Sequence, residues 1–322
     1  MTLTDISGLL VGHATDEANH TGCTAVLCPE GAAAGVEVRG FAPGTRETDL
    51  LSPLARVDMV HGILLTGGSA FGLAAATGVV RWLKENGYGL ETLFAKVPLV
   101  PAAVIFDLNF NQSLGQPDEA MGYQAASQAS RRPVAQGCVG AGAGATCGKL
   151  AGFHRAMKSG LGSASLALGK LKVAALAVVN PLGSVLDPET AEVIAGLRTP
   201  DGAGLEDRAG ILRALTDLIV PASESNTVLA VVATDAALTK LQAGRVAKMA
   251  SAGLSRVIRP AHLMYDGDVV FALATGQGPA ADENVVGALA AEVLARAVAA
   301  GAREATSLPG FPAHRDLIKA GP

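Results

Sequence analysis

The sequence predicts a layered α/β protein with sheets packed between helices. Three observations carry this. Short apolar runs of strand length recur along the chain, stretches of helical periodicity lie between them, and glycine turns join the two. At 322 residues the chain has room for one large domain or two ordinary ones, either with a substantial core. Apolar residues make up 49% and aromatics only 4%, so small side chains must do the packing and backbones must approach closely.

In chain order, residues 6–46 read as strands joined by tight turns, with Cys23–Cys28 and Ala34–Arg39 as the clearest runs. His13 and His20 stand there as surface or turn histidines. Val60–Leu65 is a strand that enters the turn Thr66-Gly67-Gly68-Ser69, and a helical pattern follows through Trp82. Backbone N–H groups at such a turn suit an anion or an oxyanion, and the same turn also serves close helix–sheet packing. Val97–Leu108 reads as a buried strand entered through a proline turn, and 117–130 as a helix. The glycine-rich stretch Gly140–Lys149 fails as a phosphate loop, because Ala143 and Leu150 stand where Gly and Ser or Thr are required. Its spacing also departs from the dinucleotide fingerprint.

Strands are expected over 163–167 and 172–179, ending at Asn180-Pro181. Residues 197–225 turn charged and read as a mobile connector, the kind of segment in which a chain is most easily cut. Beyond it come a strand over 227–234, a helix over 236–252, a strand over 269–274 and a long helix over 283–300. The stripe Val286, Leu289, Ala290, Val293, Leu294 and Val298 on that last helix faces a core or a subunit interface.

Composition excludes several functions. A formal charge of −4 and the absence of a Lys/Arg cluster argue against nucleic acid as a partner. Gly, Pro or charged residues interrupt the apolar runs before the roughly 20 residues that span a bilayer, so no membrane is implied. The stretch Met1–Asp5 lacks the features of a signal peptide, which makes a cytoplasmic location the expectation. Cys23, Cys28, Cys138 and Cys147 have neither redox nor zinc spacing and read as small buried residues, so no metal site is expected.

Chemistry concentrates at Ser225-Asn226-Thr227, where a polar approach meets an apolar strand. A threonine hydroxyl is a weak nucleophile unless a base lies within hydrogen-bond reach, and a free α-amine serves as one. Cleavage after Asn226 would put nucleophile and base on the same residue. Taken locally, Thr227 is also what an ordinary β-branched strand start looks like.

Six separated segments together resemble a family of self-processing hydrolases. It includes the L-aminopeptidase/D-esterases, the β-peptidyl aminopeptidases and the nylon-oligomer (6-aminohexanoate-oligomer) endohydrolases. The matching pieces, in family order across nearly the whole chain, are Thr66–Leu73, Ala102–Asp107, Gly140–Lys149, Val179-Asn180-Pro181, Asn226-Thr227 and Asp266-Gly267-Asp268. The resemblance implies an αββα sandwich of the N-terminal-nucleophile-hydrolase type. It is one domain made of an α chain, 1–226, and a β chain, 227–322, with several such units assembled.

The same resemblance implies roles. Thr227 matches the nucleophile and Asn226 the residue whose carbonyl is attacked in maturation. Asn180 matches an oxyanion donor, and Lys149 a cation that would stabilise the oxyanion and hold the Thr227 amine as a free base. Asp266 and Asp268 match carboxylates that would orient Lys149 and that amine. Gly68, Ser69 and Phe106 fall in substrate binding, Phe106 at a position where many members carry Tyr. Threonine with two aspartates is similar to the nylon-oligomer branch, since the aminopeptidase branches present Ser, with Ser and Glu. The implied reaction is cofactor-free hydrolysis of linear amides or short peptides through a covalent ester. Three other readings stand beside it: an exo-acting aminopeptidase, an ornithine-acetyltransferase-like acyltransferase, and a nucleotide-binding module built on the glycine turns.

Overall fold

The computed structural model describes residues 1–110, 115–216 and 226–319. Nine strands form one hydrogen-bonded sheet: β1 (Leu10–Asp16), β2 (Thr21–Val38), β3 (Thr45–Arg46), β4 (Met59–Thr66), β5 (Ala102–Val104), β6 (Leu161–Leu168), β7 (Leu171–Asn180), β8 (Thr227–Thr234) and β9 (Val269–Ala274). The order is β6-β7-β8-β9-β2-β4-β5-β3, with β1 paired to β2. Among the described residues seven α-helices accompany them: α1 (Ala75–Glu85), α2 (Glu119–Ser127), α3 (Arg208–Thr216), α4 (Lys240–Ala250), α5 (Ala252–Val257), α6 (Glu283–Arg303) and α7 (His314–Lys319).

The layering follows from alternation, because successive strand residues point to opposite faces. On β7 and β8, Ala175, Ala177, Ala230 and Val232 face a core shared with Val246 and Ala247 of α4, Leu254 of α5 and Val293 of α6. Their neighbours Leu176, Val178, Leu229 and Val231 face a second core, together with Val26 of β2 and Ile63 and Leu65 of β4. The other face of that half, through Ala25, Leu27 and Leu64, packs on α1 and α2. Three apolar layers separate four structural ones, which makes an αββα sandwich. The bridge between its two sheet halves is β2, whose 18 residues pair with β9 at one end and β4 at the other. A register shift between Leu27 and Ala32 lets the strand change halves.

Close packing is most evident between α1 and α2. A Cβ at Gly122 would lie 1.8 Å from the Ala75 carbonyl oxygen, and one at Gly78 would lie 1.9 Å from that of Glu119. Only glycine permits this approach.

Several expectations change. Cys23–Cys28 and Ala34–Val38 are parts of one strand, because the chain passes through Pro29 and Gly31 as a bulge, and Arg39 lies just beyond its end. The expected connector is not a bare linker in its first part. It contains α3, whose Ile211 is buried with Leu150, Leu182 and Leu197, while residues 217–225 lie outside the described residues. Helix α6 is long and apolar enough, by length and composition, to cross a membrane, yet its apolar side packs in the core on β6 and β7.

Candidate active site

Thr227 opens β8 directly opposite Asn180, the last residue of β7. It is 2% exposed, and its Oγ1 donates to the carbonyl oxygen of Asn226 at 2.6 Å. That same oxygen accepts from the Gly267 N–H at 2.6 Å, and the Asn226 N–H donates to the Tyr265 carbonyl at 2.8 Å. The Asn226–Thr227 peptide is therefore strapped to the segment carrying Asp266-Gly267-Asp268, with Asn226 and Asp266 as bridge partners.

The side chain of Asn180 is fully buried, and one N–H of its amide has no hydrogen-bond partner among the described residues. Its Oδ1 accepts from Lys149 Nζ at 2.9 Å and from the Thr146 N–H at 3.0 Å, and its Nδ2 donates to the Phe106 carbonyl at 3.1 Å. Lys149 also donates to the carbonyls of Thr146 and Asn180, at 3.3 and 3.2 Å. The glycine-rich stretch thus delivers Lys149 to the end of β7, where the Lys149 and Gly148 N–H groups donate to Leu182 and Gly183. A second lysine holds this stretch from behind. Lys158, fully buried, donates to the carbonyls of Ala143, Ala145 and Ser159 at 2.9, 2.7 and 3.2 Å.

Asp266 and Asp268 are both buried at the site. Asp268 Oδ1 accepts from the Val228 N–H at 2.7 Å, next to Thr227, and its Oδ2 meets His262 Nδ1 at 2.7 Å. Asp266 Oδ2 accepts from the Leu263 N–H at 2.7 Å. Asp268 is thereby tied to the backbone next to Thr227, and Asp266 to the backbone of Leu263 and, at 3.5 Å, of Leu182. Burial, and then the charge of Asp268, raises the Asp266 carboxyl to about 7; the Leu263 and Leu182 N–H groups and Lys149 pull the other way without cancelling it. Asp266 therefore stands ready to hold or release a proton near neutrality.

A cavity of about 150 Å³ opens on Thr227 between residues 42–44, Ser69, Ala70, Val104 and Phe106. Ser69 and Phe106, two of the residues that the resemblance assigns to substrate binding, line this cavity. Gly68 does not line this cavity. Its N–H donates to Asp107 Oδ1 at 2.7 Å, while the Gly67 and Ser69 N–H groups donate to Gly22 and Ile105. The group that the turn holds is the chain's own Asp107 carboxyl, whose other oxygen accepts from Thr21 at 2.7 Å. Burial raises the Asp107 carboxyl in spite of these bonds.

Sequence reasoning missed His262, Thr146, Asp107 and the Gly267 N–H. His262 carried a usable signal, lying four residues before Asp266, whereas the others act through backbone groups or across long sequence separations.

The αββα sandwich has the architecture of the N-terminal-nucleophile-hydrolase type of fold. Solved structures of this class superpose on it. The β-aminopeptidase of Burkholderia sp. gives a TM-score of 0.72 at 22% identity, covering 99% of this chain and 92% of that one. The L-aminopeptidase D-Ala-esterase/amidase of Ochrobactrum anthropi gives 0.73 at 20%, covering 99% and 93%. The chain belongs to Peptidase family S58, whose model matches residues 2–315. It is similar to an uncharacterized aminopeptidase of Mycobacterium bovis, 41% identical over 98% of both chains. It is also similar to a 6-aminohexanoate-oligomer endohydrolase of Agromyces sp., 31% identical over 85% of this chain and 74% of that protein. The protein is a hydrolase acting on amide or peptide bonds.

Proposed function

We propose that this amidohydrolase matures by cutting itself after Asn226 and then uses the new N-terminal Thr227 as its nucleophile. The observation that carries the reading is the position of the Thr227 hydroxyl, which lies 2.6 Å from the preceding carbonyl oxygen and also borders the cavity. Attack on a substrate carbonyl gives a covalent ester, and water releases the acid. The freed amine acts as base, with Lys149 and Asn180 beside it to stabilise developing negative charge. Residues 1–226 and 227–322 stay together as one unit, since β7 and β8 pair along their length. Several such units assemble.

The cavity beside Thr227 has no charged side chain among its described lining residues, which suits the uncharged acyl part of a linear amide. Cleavage within 6-aminohexanoate oligomers or short peptides follows from this, and the oligomer endohydrolase relative supports it. Exo-acting aminopeptidase activity is the second reading, favoured by the name of the Mycobacterium bovis relative. Turnover of matched linear amides with free and N-acylated amino ends separates the two. Endo cleavage predicts that blocking leaves kcat/KM within about threefold, and a loss of two orders of magnitude supports the exo reading; each factor of ten is about 1.4 kcal/mol.

A further inference from the structure

The carbonyl oxygen of Asn226 is the atom on which negative charge would build if Thr227 attacked the preceding peptide. Asn180, matched to the oxyanion donor of substrate hydrolysis, makes its side-chain hydrogen bonds elsewhere, with Nδ2 donating to Phe106 and Oδ1 accepting from Thr146 and Lys149. The Gly267 N–H does meet it, at 2.6 Å, and the Thr227 hydroxyl reaches the same oxygen from its own side. A donor at this distance before any reaction needs little rearrangement to hold an oxyanion. Position 267 also admits nothing larger than glycine. A Cβ there would lie 2.5 Å from the Ala42 carbonyl oxygen and 2.9 Å from Thr227 Oγ1, in the space from which the hydroxyl acts.

We propose that the backbone N–H of Gly267 is the oxyanion donor of the self-cleavage step, so that maturation and substrate hydrolysis use two different oxyanion sites. This rests on the self-processing reading above. Thr227 Oγ1 bonds to the Asn226 carbonyl carbon, the carbonyl electron pair moves onto the oxygen, and the Gly267 N–H stabilises it. On collapse the C–N bond breaks, and the hydroxyl proton ends on the Thr227 nitrogen, leaving an ester between Asn226 and the Thr227 side chain. Water then adds hydroxide to the Asn226 carbonyl and returns a proton to Oγ1, which gives an Asn226 carboxylic acid and a free Thr227. Asp266, next to Gly267 and raised toward neutrality by burial, is a neighbouring source and sink for these protons.

The test replaces the Gly267 amide by an ester in the full chain, with glycolic acid incorporated at position 267 by suppressor tRNA in cell-free synthesis. The N–H is lost and no side chain is added. Cleavage is followed by intact mass, and folding by circular dichroism. The result expected is cleavage slowed roughly 100- to 1000-fold in a folded chain, the usual effect of removing one oxyanion donor. Cleavage at the wild-type rate overturns the proposal while leaving self-processing intact. A wild-type chain that never cuts overturns self-processing and this proposal with it.

A second measurement does not depend on the ester chain folding. In the Thr227→Ala chain, which also lacks the hydroxyl bond, a ¹³C=¹⁸O label on the Asn226 carbonyl reports its polarisation by infrared absorption. The band is expected at lower frequency than the same label in the denatured chain, and a band at or above that frequency contradicts the role.

Discussion

Asn180 and Thr227 face each other across the β7–β8 ladder, and Lys149 Nζ sits 2.9 Å from the side-chain oxygen of Asn180. The strand pairing that builds the core therefore also sets the distance between the proposed nucleophile and its polar neighbours. Asn180→Ala is expected to mature at least in part while hydrolysing amides about 100- to 1000-fold more slowly, as for loss of one oxyanion donor. Single-turnover rates on the matured protein check this. Unchanged turnover would remove Asn180 from the role.

Asp266 sets a pH dependence of stability. Its folded carboxyl titrates at about 7, above the unfolded value near 3.9, so between those values the folded chain holds more protons than the unfolded one. Stability then falls as pH rises from about 4 to about 7, with a slope of up to roughly 1.4 kcal/mol per pH unit. Urea unfolding of the Thr227→Ala chain across this range is expected to show the decline, and Asp266→Asn is expected to flatten it. A slope that survives the substitution would place the titration elsewhere.

Lys158 is fully buried and serves three carbonyls of the glycine-rich stretch that brings Lys149 to the site. Lys158→Met keeps the volume and leaves the Ala143 oxygen without its donor, at about 1–3 kcal/mol for an unsatisfied group, while the Ala145 oxygen keeps the Ser159 N–H and the Ser159 oxygen keeps the Cys138 thiol. Urea unfolding of Lys158→Met is expected to show a loss of about 1–3 kcal/mol. A loss under about 1 kcal/mol would mean that the stretch is held by its other contacts.

Much of this was legible before the structure. Strand bounds at Thr227–Thr234 and Val269–Ala274 match the expected ones, because both are short apolar runs with polar residues at their ends. The six separated motifs pointed to the residues that meet around Thr227. Hidden features were those that exist only through folding. The Pro29–Gly31 stretch looked like the end of a strand because those residues mark turns, but here they sit in a bulge of β2. Helix α3 was hidden by a charged composition, with Ile211 as its buried contact. The glycine turn's partner came from Asp107, 39 residues away from Gly68. His262 and the Gly267 N–H acquire their meaning from Asp268 and Asn226, which pair with them only in the folded chain.

The central claim is that Thr227 becomes an N-terminal nucleophile. Intact mass spectrometry of the purified, folded protein tests it most directly, with Thr227→Ala prepared alongside. The account predicts two polypeptides for the wild type, the smaller beginning at Thr227, and one uncut chain for the variant. A folded, soluble wild-type protein that remains a single chain of 322 residues would contradict it.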